Sequence, residues 1–125
     1  MVKFKSYYFN LERLVDDLQK TLEGRDYKEY YPKIIPVHKE YDKVLNAFIL
    51  EITNVVNEND LELKDVSLKL NYDSLEYNEV LLEVIHEDKT LTNEINVGDV
   101  IAMALKCDKA IVSADSNAIV VGNFR

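Results

Sequence analysis

Residues 41–72, YDKVLNAFILEITNVVNENDLELKDVSLKLNY, change within one stretch from a helical to an extended hydrophobic pattern. In the first half, apolar side chains recur at spacings of three and four, which is typical of one buried face of an α-helix. From Val66 to Tyr72, apolar and polar residues alternate, which is typical of a half-buried strand. A long amphipathic helix that leads into strands predicts an α+β fold.

The sequence before this stretch predicts a first helix over residues 10–23. Asn10 is a favourable N-cap, and Gly24 is the residue type that commonly ends a helix in the left-handed conformation. Between them an apolar stripe recurs at helical spacing: Leu11, Leu14, Val15, Leu18 and Leu22. Residues 2–8 alternate at their start and predict a short strand, and the second helix is predicted over residues 37–57.

The sequence after this stretch predicts further strands and one short helix. Residues 80–86 alternate again and should pair antiparallel with residues 66–72, and residues 90–96 form a candidate third strand. Asp99 is predicted to cap a short helix over residues 100–106. Two apolar runs around Asp115-Ser116-Asn117 predict a closing hairpin.

These patterns together predict one α+β domain over residues 1–125. Two long amphipathic helices pack with a mostly antiparallel sheet, in the order β-α-α-β-β-(β)-α-β-β. A chain of 125 residues buries enough surface to hold a core without metal ions or disulfides. Lys64-Asp65 interrupts the parity of the apolar residues before Val66 and predicts a bulge or a turn there.

Charge is unevenly distributed along the chain. The net charge is −8, and residues 51–100 hold 13 Asp and Glu against 3 Lys and Arg, whereas each flanking part is close to balanced. A negative excess disfavours direct binding of DNA or RNA. It is compatible with a basic protein partner, although acidity also serves simply to keep many small domains in solution.

Cellular location is predicted from two features. Cys107 is the only cysteine, so no intramolecular disulfide forms, as is usual in a reducing compartment. The N-terminal residues MVKFKSYYFN contain no apolar stretch long enough for a signal peptide, and no apolar run approaches membrane-spanning length. We therefore expect a cytoplasmic protein with no membrane association.

No motif for catalysis, metal binding or cofactor binding is present in the sequence. Cys107, His38 and His86 are the only ingredients of a Cys–His pair, and nothing in their spacing brings them together. His86-Glu87-Asp88 lie on alternating faces of a predicted strand end, which scatters them as metal ligands. Gly98 precedes a helix but is followed by Asp99, which would repel a phosphate. We therefore predict a protein that is not an enzyme, with no catalytic residues, metal site or cofactor.

Two regions are candidate contact surfaces for a partner. The connector between the predicted helices concentrates aromatic and cationic side chains of the types that are enriched in binding interfaces: Tyr27, Tyr30, Tyr31 and Lys33. The alternative for these tyrosines is that they cover the helix ends and part of the core. The predicted hairpin carries an acidic series at Glu76, Glu79, Glu83 and Glu87, for which a solvated face is the alternative.

The favoured function is therefore binding of another macromolecule through the surface, as in an inhibitor, an immunity protein or an adaptor. Charge mimicry of nucleic acid is a special case, weakened by the lysines outside the middle of the chain. The alternative is a small-molecule or nucleotide-ligand binding module that acts as a homo-oligomer. An enzyme is the third hypothesis, and no residue pattern supports it.

Overall fold

The described part of the chain begins with a short strand and a helix. In the computed structural model, which describes residues 5–27, 40–71, 80–112 and 118–121, strand β1 (Lys5–Tyr8) leads into helix α1 (Leu11–Leu22). The side chain of Asn10 accepts a hydrogen bond from the backbone N–H of Arg13, which confirms the predicted N-cap. Gly24 follows with a φ of 82°, a left-handed conformation that glycine adopts without steric cost.

The second helix, α2, spans Tyr41–Glu58. Its apolar stripe is buried as the spacing predicts, with Val44, Phe48 and Ile52 fully enclosed. Residues 28–39 lie outside the described part, so the predicted helix start at residue 37 lies there too. After α2 the chain makes one turn of 3₁₀ helix at Leu63–Asp65, so the parity change at Lys64-Asp65 is a turn.

The middle of the chain forms a three-stranded antiparallel sheet. Its strands are β2 (Ser67–Asn71), β3 (Leu81–His86) and β4 (Lys89–Asn96), in the spatial order β2-β3-β4. Leu68 pairs with Val84, which confirms the predicted antiparallel hairpin between the first two strands. The third strand is also present, and its register with β3 shifts at two places. One side of the sheet is buried through alternate residues, including Val80, Leu82 and Val84.

A third helix follows β4 without a linker. Helix α3 spans Val97–Leu105, and its N-cap is Asn96, whose side chain accepts a hydrogen bond from the backbone N–H of Asp99. The prediction that Asp99 caps this helix was wrong. Asn96 has the extended backbone that an N-cap requires, so the helix begins three residues earlier, and Asp99 lies inside its first turn.

The two ends of the chain meet in a second sheet. Strand β5 (Ala110–Val112) and strand β6 (Ala118–Val121) form the predicted closing hairpin, and β1 pairs antiparallel with the other edge of β6. The spatial order is β1-β6-β5, so the last described strand lies in the centre. The predicted antiparallel strands are thus divided between two three-stranded sheets within the described residues.

Helix packing joins these sheets into one α+β domain. Helix α1 packs against β2 and α2, α2 packs against α3, and α3 packs against β5. Gly98 permits the last contact, because a Cβ there would lie 3.2 Å from the carbonyl oxygen of Ala110. One core runs through all of these contacts and includes Phe9, Leu14, Phe48, Leu82 and Ile101. No helix within the described ranges is long and apolar enough to cross a membrane.

Candidate binding groove between α2 and β4

An open groove with a volume of about 610 Å³ separates the C-terminal half of α2 from β4. The helix contributes side chains that lie one and two turns apart, so they share one face: Glu51, Val55, Glu58 and Asn59. The strand contributes the facing wall: Thr90, Leu91, Thr92 and Ile95. Carboxylates, hydroxyls and an amide therefore line the groove together with three apolar side chains.

The strand wall of the groove coincides with the irregular part of β4. Leu82 pairs with Ile95, Val84 with Thr92, and Ile85 with Thr90. From each of these pairs to the next, the chain advances by one residue more on β4 than on β3. A β-bulge changes the direction of side chains and strengthens the local twist, and bulges are frequent beside binding sites. The bulges explain how three consecutive residues, Thr90 to Thr92, all line one groove although a regular strand would direct them to opposite faces.

The described lining of the groove contains two carboxylates and no lysine or arginine. Glu51 is half-buried in its wall, and Glu58 is exposed at the end of α2. Seven residues separate them on the helix, which places them about 10 Å apart along its axis. Partial burial weakens solvent screening, so a cation placed between the walls would interact more strongly with Glu51 than with a fully solvated carboxylate.

The turn between β3 and β4 adds two further carboxylates near the Thr90 end of the groove. Glu87 and Asp88 are exposed and have φ values of 50° and 63°. This left-handed pair is the backbone of a tight hairpin turn that asparagine and glycine normally supply. Placing two acidic residues there costs stability, and such local strain is common at functional positions. Lys89, on the strand side of the turn, is the nearest cation along the chain.

The predicted acidic series is only partly within the described residues. Glu83 lies on β3, half-buried, and its carboxylate accepts a hydrogen bond of 3.2 Å from the amide of Asn71. Glu87 lies in the turn just described, whereas Glu76 and Glu79 fall outside the described residues. Glu83 therefore interacts with a neighbouring strand, and Glu87 is the member of the series that lies closest in the chain to the groove.

The tyrosine-rich connector is also only partly described. Tyr27 is 7% exposed, and its ring packs at a tilt against that of Tyr41, with centroids 5.8 Å apart. Its hydroxyl donates a hydrogen bond to the carboxylate of Asp42. Burial, together with this hydrogen bond, raises the pKa of Tyr27. The Tyr27 ring thus belongs to the core, and Tyr30, Tyr31 and Lys33 lie outside the described residues.

Among the described residues, the side chains with ordinary catalytic or metal-binding chemistry do not lie together. Cys107 is 5% exposed, and its thiol lies 3.5 Å from the carbonyl oxygen of Ala102, the geometry of a weak hydrogen bond in a packed interior. His86 ends β3, and His38 lies outside the described part. Within the ranges that the structure describes, no group of three or more His, Cys, Asp and Glu residues could hold a metal ion.

Sequence reasoning did not identify Glu51 and Glu58 as site residues. The available signal was their spacing of seven along a predicted helix, on the flank of its apolar stripe, which places both on one face. The sequence did not predict that a bulged strand from a later part of the chain would form the opposite wall.

No protein-family model, curated protein or solved structure matches this chain.

Proposed function

We propose that this protein acts by binding a basic segment of a partner protein in the groove between α2 and β4, and not by turning over a substrate. The groove itself is the observation that carries the proposal. It combines a recessed surface, two carboxylates and a bulged strand in the most acidic part of the chain. The acidic turn at Glu87 and Asp88 extends the same charge beyond one end of the groove.

Charge complementarity supports a basic occupant. Residues 51–100 carry 13 acidic and 3 basic residues, so a segment rich in Lys or Arg is attracted at long range and then pairs with Glu51 and Glu58. A second copy of this acidic chain is a less favourable occupant, because like charges would meet in the groove. An inhibitor, an immunity protein or an adaptor could all work in this way. The single cysteine supports a cytoplasmic setting for the complex.

The experiment titrates the ¹⁵N-labelled protein with an unstructured twelve-residue peptide of alternating Lys and Ser, followed by NMR. We expect amide shifts to concentrate in residues 51–59 and 87–95, and to vanish when Glu replaces every Lys of the peptide. Shifts distributed evenly over the surface, or equal shifts with the acidic peptide, would contradict the proposal.

Two pairs of substitutions separate the groove from general charge. Glu51→Gln with Glu58→Gln should weaken peptide binding by about twofold to thirtyfold, since each ion pair near the surface contributes roughly 0.2–1 kcal/mol. Glu12→Gln with Asp65→Asn also removes two negative charges, but from exposed positions outside the groove lining. This second pair should leave peptide binding nearly unchanged. Equal losses in both pairs would point to non-specific attraction. Binding of a neutral small molecule with no response to the peptide would favour the alternative ligand-binding module.

A further inference from the structure

Asp17 is a buried carboxyl group in the contact between α1 and α2. It is 3% exposed, and it is the only charged side chain that is buried among the described residues. The spacing of the α1 stripe explains its position, because Asp17 lies between the buried Leu14 and Leu18 on the helix face that meets α2. Burial of a carboxylate is unfavourable unless several hydrogen bonds compensate for the lost water.

The surroundings of Asp17 provide only part of that compensation. The hydroxyl of Tyr41, on α2, donates a hydrogen bond to Oδ2. Oδ1 is buried and has no hydrogen-bond partner within the described part of the chain. A neutral acid group tolerates such a position better than an anion does, because its desolvation cost is much smaller.

The charged and titratable groups that act on Asp17 lie on α1 and α2. On α1, Arg13 favours the ionised form and Asp16 opposes it. On α2, Tyr41 donates its hydrogen bond, and Asp42 lies behind it as the partner of Tyr27. Strand β2, which also packs on α1, has one charged residue, Lys69; its side chain is exposed and is not among the charges that shift the pKa of Asp17. Desolvation is the largest of these influences and raises the pKa of Asp17 above its ordinary value of 3.8.

We infer that Asp17 is a proton-binding site that couples the packing of α1 against α2 to pH, so that protonation strengthens this contact. The direction of the pH effect follows from the difference in proton binding between the folded and unfolded states. A carboxyl whose pKa is higher in the folded than in the unfolded state binds more protons when folded. The contribution of this proton to the free energy of unfolding is complete when the pH is below 3.8, the ordinary pKa of an aspartate. It is lost as the pH rises through the pKa of Asp17 in the folded state. This is the reverse of the usual behaviour of a paired carboxylate.

The decisive measurement is the pH dependence of stability in the wild type and in Asp17→Asn. Asparagine keeps an oxygen that can accept from Tyr41 and cannot ionise. We expect the urea midpoint of the wild type to fall relative to that of Asp17→Asn as pH rises from 4 to 8. Glu12→Gln is the matched control, because it removes an exposed carboxylate from the same helix that is not among the charges that shift the pKa of Asp17. Its midpoint should run parallel to the wild-type curve; a constant difference for Asp17→Asn would overturn the inference.

A second measurement works on the wild type and does not depend on folding of the variant. Carboxyl ¹³C titration by NMR should show Asp17 protonating above the ordinary aspartate value of 3.8. Tyr41→Phe removes the hydrogen bond that favours the anion and should move the Asp17 inflection to still higher pH. An inflection at the ordinary position, or no movement in Tyr41→Phe, would show that Asp17 is an ordinary buried polar residue without a linked proton.

Discussion

At the scale of single residues, the side chain of Gln19 forms hydrogen bonds with the backbone of β2 and the residue before it, as a neighbouring strand usually does. Its side-chain amide donates to the carbonyl of Val66 at 3.0 Å and accepts from the N–H of Leu68 at 2.8 Å. Val66 and Leu68 lie at the start of the edge strand β2, so the amide of Gln19 satisfies backbone groups that would otherwise be open to another chain. Helix α1 is thereby held on the sheet by polar contacts as well as by its leucines.

Replacement of Gln19 tests this role. We expect Gln19→Ala to lower the free energy of unfolding by about 1–3 kcal/mol, because two partly buried backbone groups lose their partners. Gln19→Glu should be comparably destabilising at pH 7, since a carboxylate would face the Val66 carbonyl, and should recover partly in acid. Urea denaturation measures both. Glu12→Ala, at an exposed position of the same helix, serves as control, and a Gln19→Ala loss no larger than that of the control would contradict the assignment.

At the scale of elements, the β3–β4 hairpin is built with a turn that its residues do not favour. A two-residue turn with positive φ at both positions selects Asn-Gly, whereas this chain has Glu87-Asp88. The strands it joins are otherwise well matched to their environment, with alternate residues of β3 buried. The turn therefore places two carboxylates in a backbone conformation that asparagine and glycine adopt at lower cost.

Substitution of the turn should reveal this exchange. We expect Glu87→Asn with Asp88→Gly to raise the free energy of unfolding by about 1–2 kcal/mol, because the left-handed conformation then costs little. The same variant should bind the Lys-Ser peptide more weakly than the wild type does, because it lacks two carboxylates near the groove. Denaturation and the NMR titration measure the two effects separately. If stability does not rise, the turn is not strained.

At the scale of the whole molecule, the fold is closed by a contact between its two ends. Lys5 pairs with Val121 and Tyr8 with Ala118, so β6 lies between β1 and β5. Contacts this distant in sequence form slowly, because a long loop must close before they contribute stability. The central position of β6 makes the end of the chain essential to the second sheet.

Proline in the middle of β6 tests this arrangement. Val120 pairs with Ser6 on one side and Ile111 on the other. Val120→Pro should cost about 3 kcal/mol or more, since proline removes a ladder hydrogen bond and clashes with a central strand. Val120→Thr, which keeps the backbone N–H and the branched shape, should cost much less. Circular dichroism and urea denaturation compare the two, and equal stability of both variants would mean that β6 is not central.

Local order was readable from the chain itself, because it depends on neighbours in sequence. Apolar periodicity predicted long helices over residues 10–23 and 37–57, and the structure has them at Leu11–Leu22 and Tyr41–Glu58. The predicted N-cap at Asn10 was correct, because the capping hydrogen bond closes within three residues. The cap of α3 was assigned to Asp99 instead of Asn96, since both residue types satisfy the same local rule and only the position of β4 selects between them.

Tertiary structure alone decided which distant elements meet. Division of the strands into two sheets, the pairing of β1 with β6 and the groove between α2 and β4 all arise from long-range packing, which leaves no periodic trace in a single sequence. Asp17 shows the same limit at one residue. The apolar spacing placed Asp17 off the stripe of α1, with the polar residues, and that prediction was wrong. The structure buries Asp17, because Tyr41, 24 residues later in the sequence, packs over it.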